Sequence, residues 1–145
     1  MFVRWIVRRH KNEEVANVTF HDAYLIESYR NENGDPRQRT ISYLGNIREI
    51  DGEFPSIERE LFLLRASHIL ASLPNVSQED QRQAITQLQE RVPPLDTDEV
   101  MIGFKNTLRW YVQWWQDNGK MPSEQVLLNM IRFAQETSDD LLLDE

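Results

Sequence analysis

Tyr24-Leu25-Ile26-Glu27-Ser28-Tyr29-Arg30, then Asn31-Glu32-Asn33-Gly34-Asp35-Pro36, then Arg37-Gln38-Arg39-Thr40-Ile41-Ser42-Tyr43-Leu44, is the stretch that decides the fold. Its two flanks are rich in β-branched and aromatic residues. Asn-Gly between such flanks is a strong hairpin signal, because both residues accept positive φ. A return strand over Arg37–Leu44 is therefore expected, with Gly45 ending it. A two-residue turn at Asn33-Gly34 would pair Arg30 with Arg37, Ser28 with Arg39 and Ile26 with Ile41. Like charges directly opposite each other repel. A register one residue different pairs Glu27 with Arg39 and removes the conflict. The residues leave both registers open, and the choice decides which face carries the arginines.

Outward from the hairpin, the pattern stays β on the N-terminal side. Residues 1–9, Met-Phe-Val-Arg-Trp-Ile-Val-Arg-Arg, interrupt apolar residues with Arg4 and Arg8 and read as a strand. Residues 10–17 are polar and read as a loop. Val18 to Arg30 supplies the first arm of the hairpin, so a three-stranded antiparallel meander is the economical arrangement.

From Pro55 the period becomes helical. A largely buried helix is expected from Ser56 to about Leu73, its stripe formed by Ile57, Leu61, Leu64, His68 and Leu73 and widened by Phe62, Leu63, Ile69 and Leu70. Ser77-Gln78-Glu79-Asp80 resembles a capping box. It opens a second helix to Arg91, whose few apolar residues (Ala84, Ile85, Leu88, Val92) suggest a helix laid on the surface. Asp98–Asn118 reads as a third helix closed by Gly119. Ser123 to about Thr137 reads as a fourth, and the short link predicts that the last two pack antiparallel. The fold class is α+β: a three-stranded antiparallel β-meander followed by about four α-helices. The expected organisation is a β-rich unit over 1–50 and a helical unit over 51–145, able to form one compact domain together.

With 145 residues and 40% hydrophobic content, the chain can fill one core; its mean hydropathy of -0.60 suits a water-exposed surface. There is no cysteine, which excludes disulfides, thiolate catalysis and Cys-based metal sites. No apolar run approaches the roughly 18 residues that span a membrane, and the N-terminus lacks a signal-peptide pattern, so a cytoplasmic protein is expected. The net charge of -8 is uneven: residues 1–50 carry eight Lys/Arg and seven Asp/Glu, leaving eight basic and seventeen acidic groups for the rest. A polyanion would be repelled by the helical part and met by the N-terminal part.

Leu25-Ile26-Glu27-Ser28-Tyr29-Arg30, followed by Gly34-Asp35-Pro36-Arg37-Gln38-Arg39-Thr40-Ile41-Ser42-Tyr43-Leu44-Gly45, resembles the N-terminal segment of bacterial insertion-sequence transposases of the DDE class. There, a run of this kind forms a β-hairpin ahead of the helical and catalytic parts. The resemblance covers about residues 1–50 and implies an association with DNA-handling proteins. It does not imply transposition by these residues, because 145 residues leave no room for an RNase-H-like nuclease domain. The helical part resembles no family we recognise.

Two sets of residues are candidates for binding. Arg4, Arg8, Arg9, Arg30, Arg37 and Arg39 lie on or beside the expected sheet and could reach phosphates and guanine edges in a major groove. The bland alternative is a solvated face paired with Glu13, Glu14 and Glu27. Trp110, Trp114 and Trp115 lie on the third helix beside Phe104, Leu108 and Tyr111. They either cover a core or anchor a protein interface. His68 reads as a core or interface residue. His21-Asp22 lacks a second histidine at i+2 or i+4, so no metal site is expected. The carboxylates Asp96, Asp98 and Glu99 fit a helix start. With no nucleophile elbow, phosphate loop or zinc motif, neither catalytic residues nor a cofactor is expected. The expected function is that of a non-enzymatic, DNA-associated accessory or regulatory protein related to mobile elements. The alternative is a protein-interaction module, or a nucleic-acid mimic, acting through the acidic helices and the Trp row. The partners admitted are DNA, a basic protein or a second copy of the chain, and no membrane.

Overall fold

The computed structural model describes residues 1–12, 14 and 16–142. Glu13, one of the acids expected to pair with the arginines, lies outside the described residues, as do the side chains from residue 137 on. The order of elements is β1 (Phe2–Arg9), β2 (Val18–Arg30), β3 (Pro36–Ile50), α1 (Ser56–Ser72), α2 (Gln78–Arg91), α3 (Thr97–Asn118) and α4 (Glu124–Leu142). The strands form one antiparallel sheet with β2 in the centre. The fold is the α+β meander with four helices that the residue pattern predicts.

The strand ends differ from expectation in one place. Gly45 does not end β3, which runs on to Ile50. Gly45 sits at φ +138°, opposite Ala23, where the register slips. A second slip follows between Leu25 and Ile26, and the extra residues are Leu44 and Ile41. Such bulges bend a strand and re-aim its side chains. Here they turn Leu44 fully inward and bring Ile41 against the core. A Cβ on Gly45 would meet the Phe62 ring at an ordinary 3.5 Å, so the positive φ and not the space requires glycine here.

One face of the sheet is covered by α1 and α2. The core joins Ala23, Leu25, Leu44 and Ile47 of the sheet to Phe62, Ala66 and Leu70 of α1, with Ala84, Leu88 and Val92 at α2. One helix reading is corrected by this packing. Of α1, the stripe Phe62, Ala66, Leu70 is buried, while Ile57, Leu61 and Leu64 are 48–56% exposed and His68 is exposed. This helix is apolar nearly all round, so its period did not single out one face; the position of α2 did. By contrast, α2 lies on the surface as expected: Ala84, Leu88 and the following Val92 are buried against the core and Ile85 is half-buried, while most of its polar residues are exposed. Ser77 caps it, accepting from the Asp80 amide at 3.1 Å. The helix also reaches an open sheet edge, where Gln87 Oε1 accepts from the Val3 amide of β1 at 2.6 Å.

The chain divides into two compact units, Met1–Gly103 and Phe104–Glu145. The division falls inside α3 and not near residue 50, because the strands find their apolar cover only in α1 and α2. The start of α3 belongs to the first unit, where Arg59 of α1 binds Glu99 and donates to the carbonyl of Pro94 at 3.3 Å. In the second unit no described residue is buried. The antiparallel packing expected of α3 and α4 is not found: the two helices share no extended contact among the described residues.

His21 lies at the seam between sheet and α2, 8% exposed. Its ring stands edge-on to Trp5 (6.3 Å between centroids) and Phe54 (5.0 Å). Arg91 Nη1 donates to His21 Nδ1 at 3.3 Å while lying 4.7 Å over the Trp5 ring. That leaves the proton on Nε2, which faces Glu49 Oε2 at 3.4 Å without a hydrogen bond. Burial lowers the His21 pKa below its ordinary 6.5, and Glu49 only partly opposes this. The folded state thus prefers neutral His21, and the unfolded chain takes up a proton first. Stability from this group is complete above about pH 6.5 and is lost as pH falls through the lower folded value. Thermal unfolding followed from pH 7 to 5 is expected to show this decline, and His21→Gln is expected to flatten it.

Candidate nucleic-acid interface

The pairing of β1 stops at Phe2↔Ile26, whereas β2 and β3 continue together to Arg30↔Pro36. Residues 27–40 thus form a two-stranded arm that projects beyond the three-stranded body. None of them joins the core, and Ser28, Tyr29, Arg30 and residues 36–40 are all exposed. At about 3.3 Å per residue, the paired part is on the order of 13 Å long. Its tip is well tied. Asn31 Oδ1 accepts from the Asn33 and Asp35 amides at 3.0 and 2.9 Å, and Asn31 O accepts from Gly34 N at 2.9 Å. Gly34 takes φ +78°, which a side chain would resist. The loop between the strands is therefore five residues, not the two-residue turn.

That longer loop selects the register in which Glu27 faces Arg39 and Tyr29 faces Arg37. Arg37 and Arg39 consequently share one face of the arm with Glu27 and Tyr29. Arg30 lies on the other face, with Ser28 and Gln38. The six candidate arginines are not gathered on a single face. Arg4 joins the Arg30 side, where it binds Gln38 Oε1. Arg8 faces the same way but is tied down: its Nε donates to Asp22 Oδ2 at 3.0 Å. Arg9 projects from the opposite face, beside Asn17 and Glu49 at the far end of the sheet. Arg30 Nη1 donates to the Gly34 carbonyl at 2.8 Å, and Arg37 Nη1 to the Pro36 carbonyl at 3.1 Å. Arg39 donates to Glu27 Oε2 through Nε at 2.7 Å and Nη2 at 2.6 Å.

The arm is formally neutral, since Glu27, Glu32 and Asp35 balance Arg30, Arg37 and Arg39. Its potential for binding lies in aimed donors, not in net charge. The bland pairing reading holds for Arg8 and Arg39, whose acids are Asp22 and Glu27.

A polar cluster missed by reading along the chain sits on the sheet face away from the helices. Asp22, 7% exposed, accepts from Tyr43 Oη at 2.7 Å, Asn46 Nδ2 at 2.9 Å and Arg8 Nε at 3.0 Å. These partners come from all three strands, and only pairing brings them together. Burial alone would raise the Asp22 carboxyl, but the three hydrogen bonds outweigh it and hold the pKa below 3.8. Burial and the Asp22 charge push the Tyr43 phenol up to about 12. The cluster fastens the sheet and does no visible chemistry. Among the described residues, no three His, Asp or Glu side chains gather to hold a metal.

The other candidates, Trp110, Trp114 and Trp115, belong to the second unit. Trp110 is 62% and Trp114 44% exposed, and Trp115 is half-buried. Tyr111 links them, 5.2 Å from Trp110 and 6.1 Å from Trp115 between ring centroids. The sheet takes its apolar cover from α1 and α2 of its own unit.

Removing Asp22 strands three donors. Asp22→Ala is expected to lower folding stability by about 2–4 kcal/mol, measured by denaturant unfolding. The wild-type contribution should persist above about pH 4 and disappear as pH falls through the depressed Asp22 value, a window separate from that of His21.

No helix is long and apolar enough to cross a membrane among the described residues. Comparison with curated proteins and with solved structures finds no match. A family model described as the IS1634 family transposase, N-terminal domain, matches residues 7–92, which is more than half of the chain. Those residues run from the end of β1, through the hairpin arm, to the Val92 that closes the core at α2, so the match covers the folded unit and not the hairpin motif alone. By this match the chain belongs to the family of IS1634 transposase N-terminal domains.

Proposed function

We propose that the protein is a DNA-associated accessory segment of the transposition machinery that contacts duplex DNA through its sheet and does no bond-making chemistry of its own. The observation that carries this reading is the two-stranded arm over residues 27–40, exposed on both faces and armed with Arg30, Arg37 and Arg39. A major groove admits a two-stranded ribbon, whereas the three-stranded body is too broad to enter it. With the arm in the groove, Arg4, on the body next to the arm, would take a flanking phosphate. The acidic remainder of the chain keeps the rest of the surface away from the polyanion.

Few phosphates are engaged on this reading, so the salt dependence is moderate. Binding of a labelled duplex should weaken between about 50 and 200 mM salt with a log–log slope of roughly −2 to −4. Arg37→Ala/Arg39→Ala should abolish binding while leaving the unfolding midpoint within a small margin of wild type. Absence of wild-type binding at the lowest salt overturns the proposal.

A second reading is favoured by one observation, the exposed Trp110, Tyr111 and Trp114 on α3. It makes the second unit a docking surface for a basic protein, since Trp and Tyr dominate interface energetics. Trp110→Ala/Trp114→Ala should keep helical content and DNA binding but lose that partner in a pull-down. Undiminished partner recovery by the double variant argues against it.

A further inference from the structure

We infer that Arg39 is a base-reading residue: its guanidinium is preset by Glu27 and Tyr29 to take the O6/N7 edge of guanine in the major groove. This rests on the DNA-contact reading and adds what the arm recognises there. The other arm arginines are held only loosely. Arg30 and Arg37 donate to main-chain carbonyls of their own hairpin, and Arg37 keeps 4.0 Å from Asp35. Arg39 is different on two counts. Its Nε and Nη2 both donate to one carboxylate oxygen of Glu27, at 2.7 and 2.6 Å. Its Cζ lies over the Tyr29 ring, 5.0 Å from the centroid. The side chain nevertheless remains 59% exposed, whereas Glu27 is 28% exposed.

A guanidinium has two usable edges. Glu27 occupies the Nε/Nη2 edge, and Tyr29 covers one face. What is left outward is the Nη1/Nη2 edge, the pair of parallel donors that matches guanine O6 and N7. Fixing a long side chain before contact removes much of the entropy cost of ordering it. Its position is also suitable, because the pair Glu27↔Arg39 lies on the arm, clear of β1. Arg8 has a similar setting, with Asp22 at its Nε and the Phe20 ring 5.4 Å away. It sits on the three-stranded body, however, where bases are out of reach. A surface ion pair of no consequence would predict the reverse behaviour: Glu27 could be neutralised without changing sequence preference.

The test is duplex selection from a randomised pool with the wild-type chain, followed by affinities for the selected and scrambled duplexes. Replacing each guanine of the selected site with 7-deazaguanine should identify one whose N7 matters, with a loss of about tenfold or more. Arg39→Lys, which keeps the charge, should lower the selected-to-scrambled ratio by about ten- to a hundredfold while binding scrambled DNA as before. Glu27→Gln should also lower that ratio, yet tighten binding to scrambled DNA by removing a negative charge. If a duplex is selected but Arg39→Lys and Glu27→Gln keep its full preference, or no deaza position matters, the inference is overturned and the DNA reading stands. If the wild-type chain binds no duplex at low salt, both fail.

Discussion

The pairing of β2 with β3 is the constraint on which the rest of the structure depends. Its register begins at a five-residue tip, with Glu27 opposite Arg39, and is then shifted twice by extra residues in β3. The first part sets the arm: which arginines share a face, which aromatic ring they meet, and which acid holds them. The two shifts set the body: they turn Leu44 and Ile41 toward the helices and place Gly45 beside the Phe62 ring. A single-residue slip would exchange the faces of every side chain beyond it. It would move Arg37 and Arg39 to the side of Arg30 and take Leu44 out of the core.

Around this pairing the molecule separates rigid support from exposed donors. The body is fastened on one side by apolar packing against α1 and α2, and on the other by Asp22, which joins Arg8, Tyr43 and Asn46 across three strands. The charge-bearing groups Asp22 and His21 are themselves buried and matched: Asp22 by three donors, His21 by favouring its neutral form between Trp5, Phe54 and Arg91. The arm lies outside these fastenings and keeps its shape through backbone pairing and the hydrogen-bonded Asn31 tip. Binding residues on a strand-paired element are positioned more closely than on a free loop. That is the physical basis for assigning recognition to the arm and support to the body.

The second unit follows a different logic. Half-exposed aromatic and aliphatic residues line α3 and α4, and among the described residues none is buried. Isolated helices draw most of their stability from packing an apolar face. Large exposed apolar surfaces are a mark of interfaces, which is the property the protein-docking proposal draws on.

Residue order alone determined the meander, the four helices and their principal caps. These depend on local chemistry: alternation in strands, Asn-Gly in the turn, Ser77 and Gly119 at helix ends. It also showed the separation of clustered arginine from acidic helix, and the motif in residues 25–45 that places the chain near transposases. Three things were decided only by tertiary structure. The register was one, because like-charge repulsion and turn length are weighed against core packing far from the turn. The buried stripe of α1 was another: a helix apolar on most sides takes its inner face from where α2 lies, so Phe62, Ala66 and Leu70 went in and Ile57, Leu61 and Leu64 stayed out. The third was the fate of each arginine. Charge and position along the chain treat Arg8 and Arg39 alike. Only the folded sheet confines the one to its three-stranded body against Asp22 and lifts the other onto a free arm beside Glu27 and Tyr29.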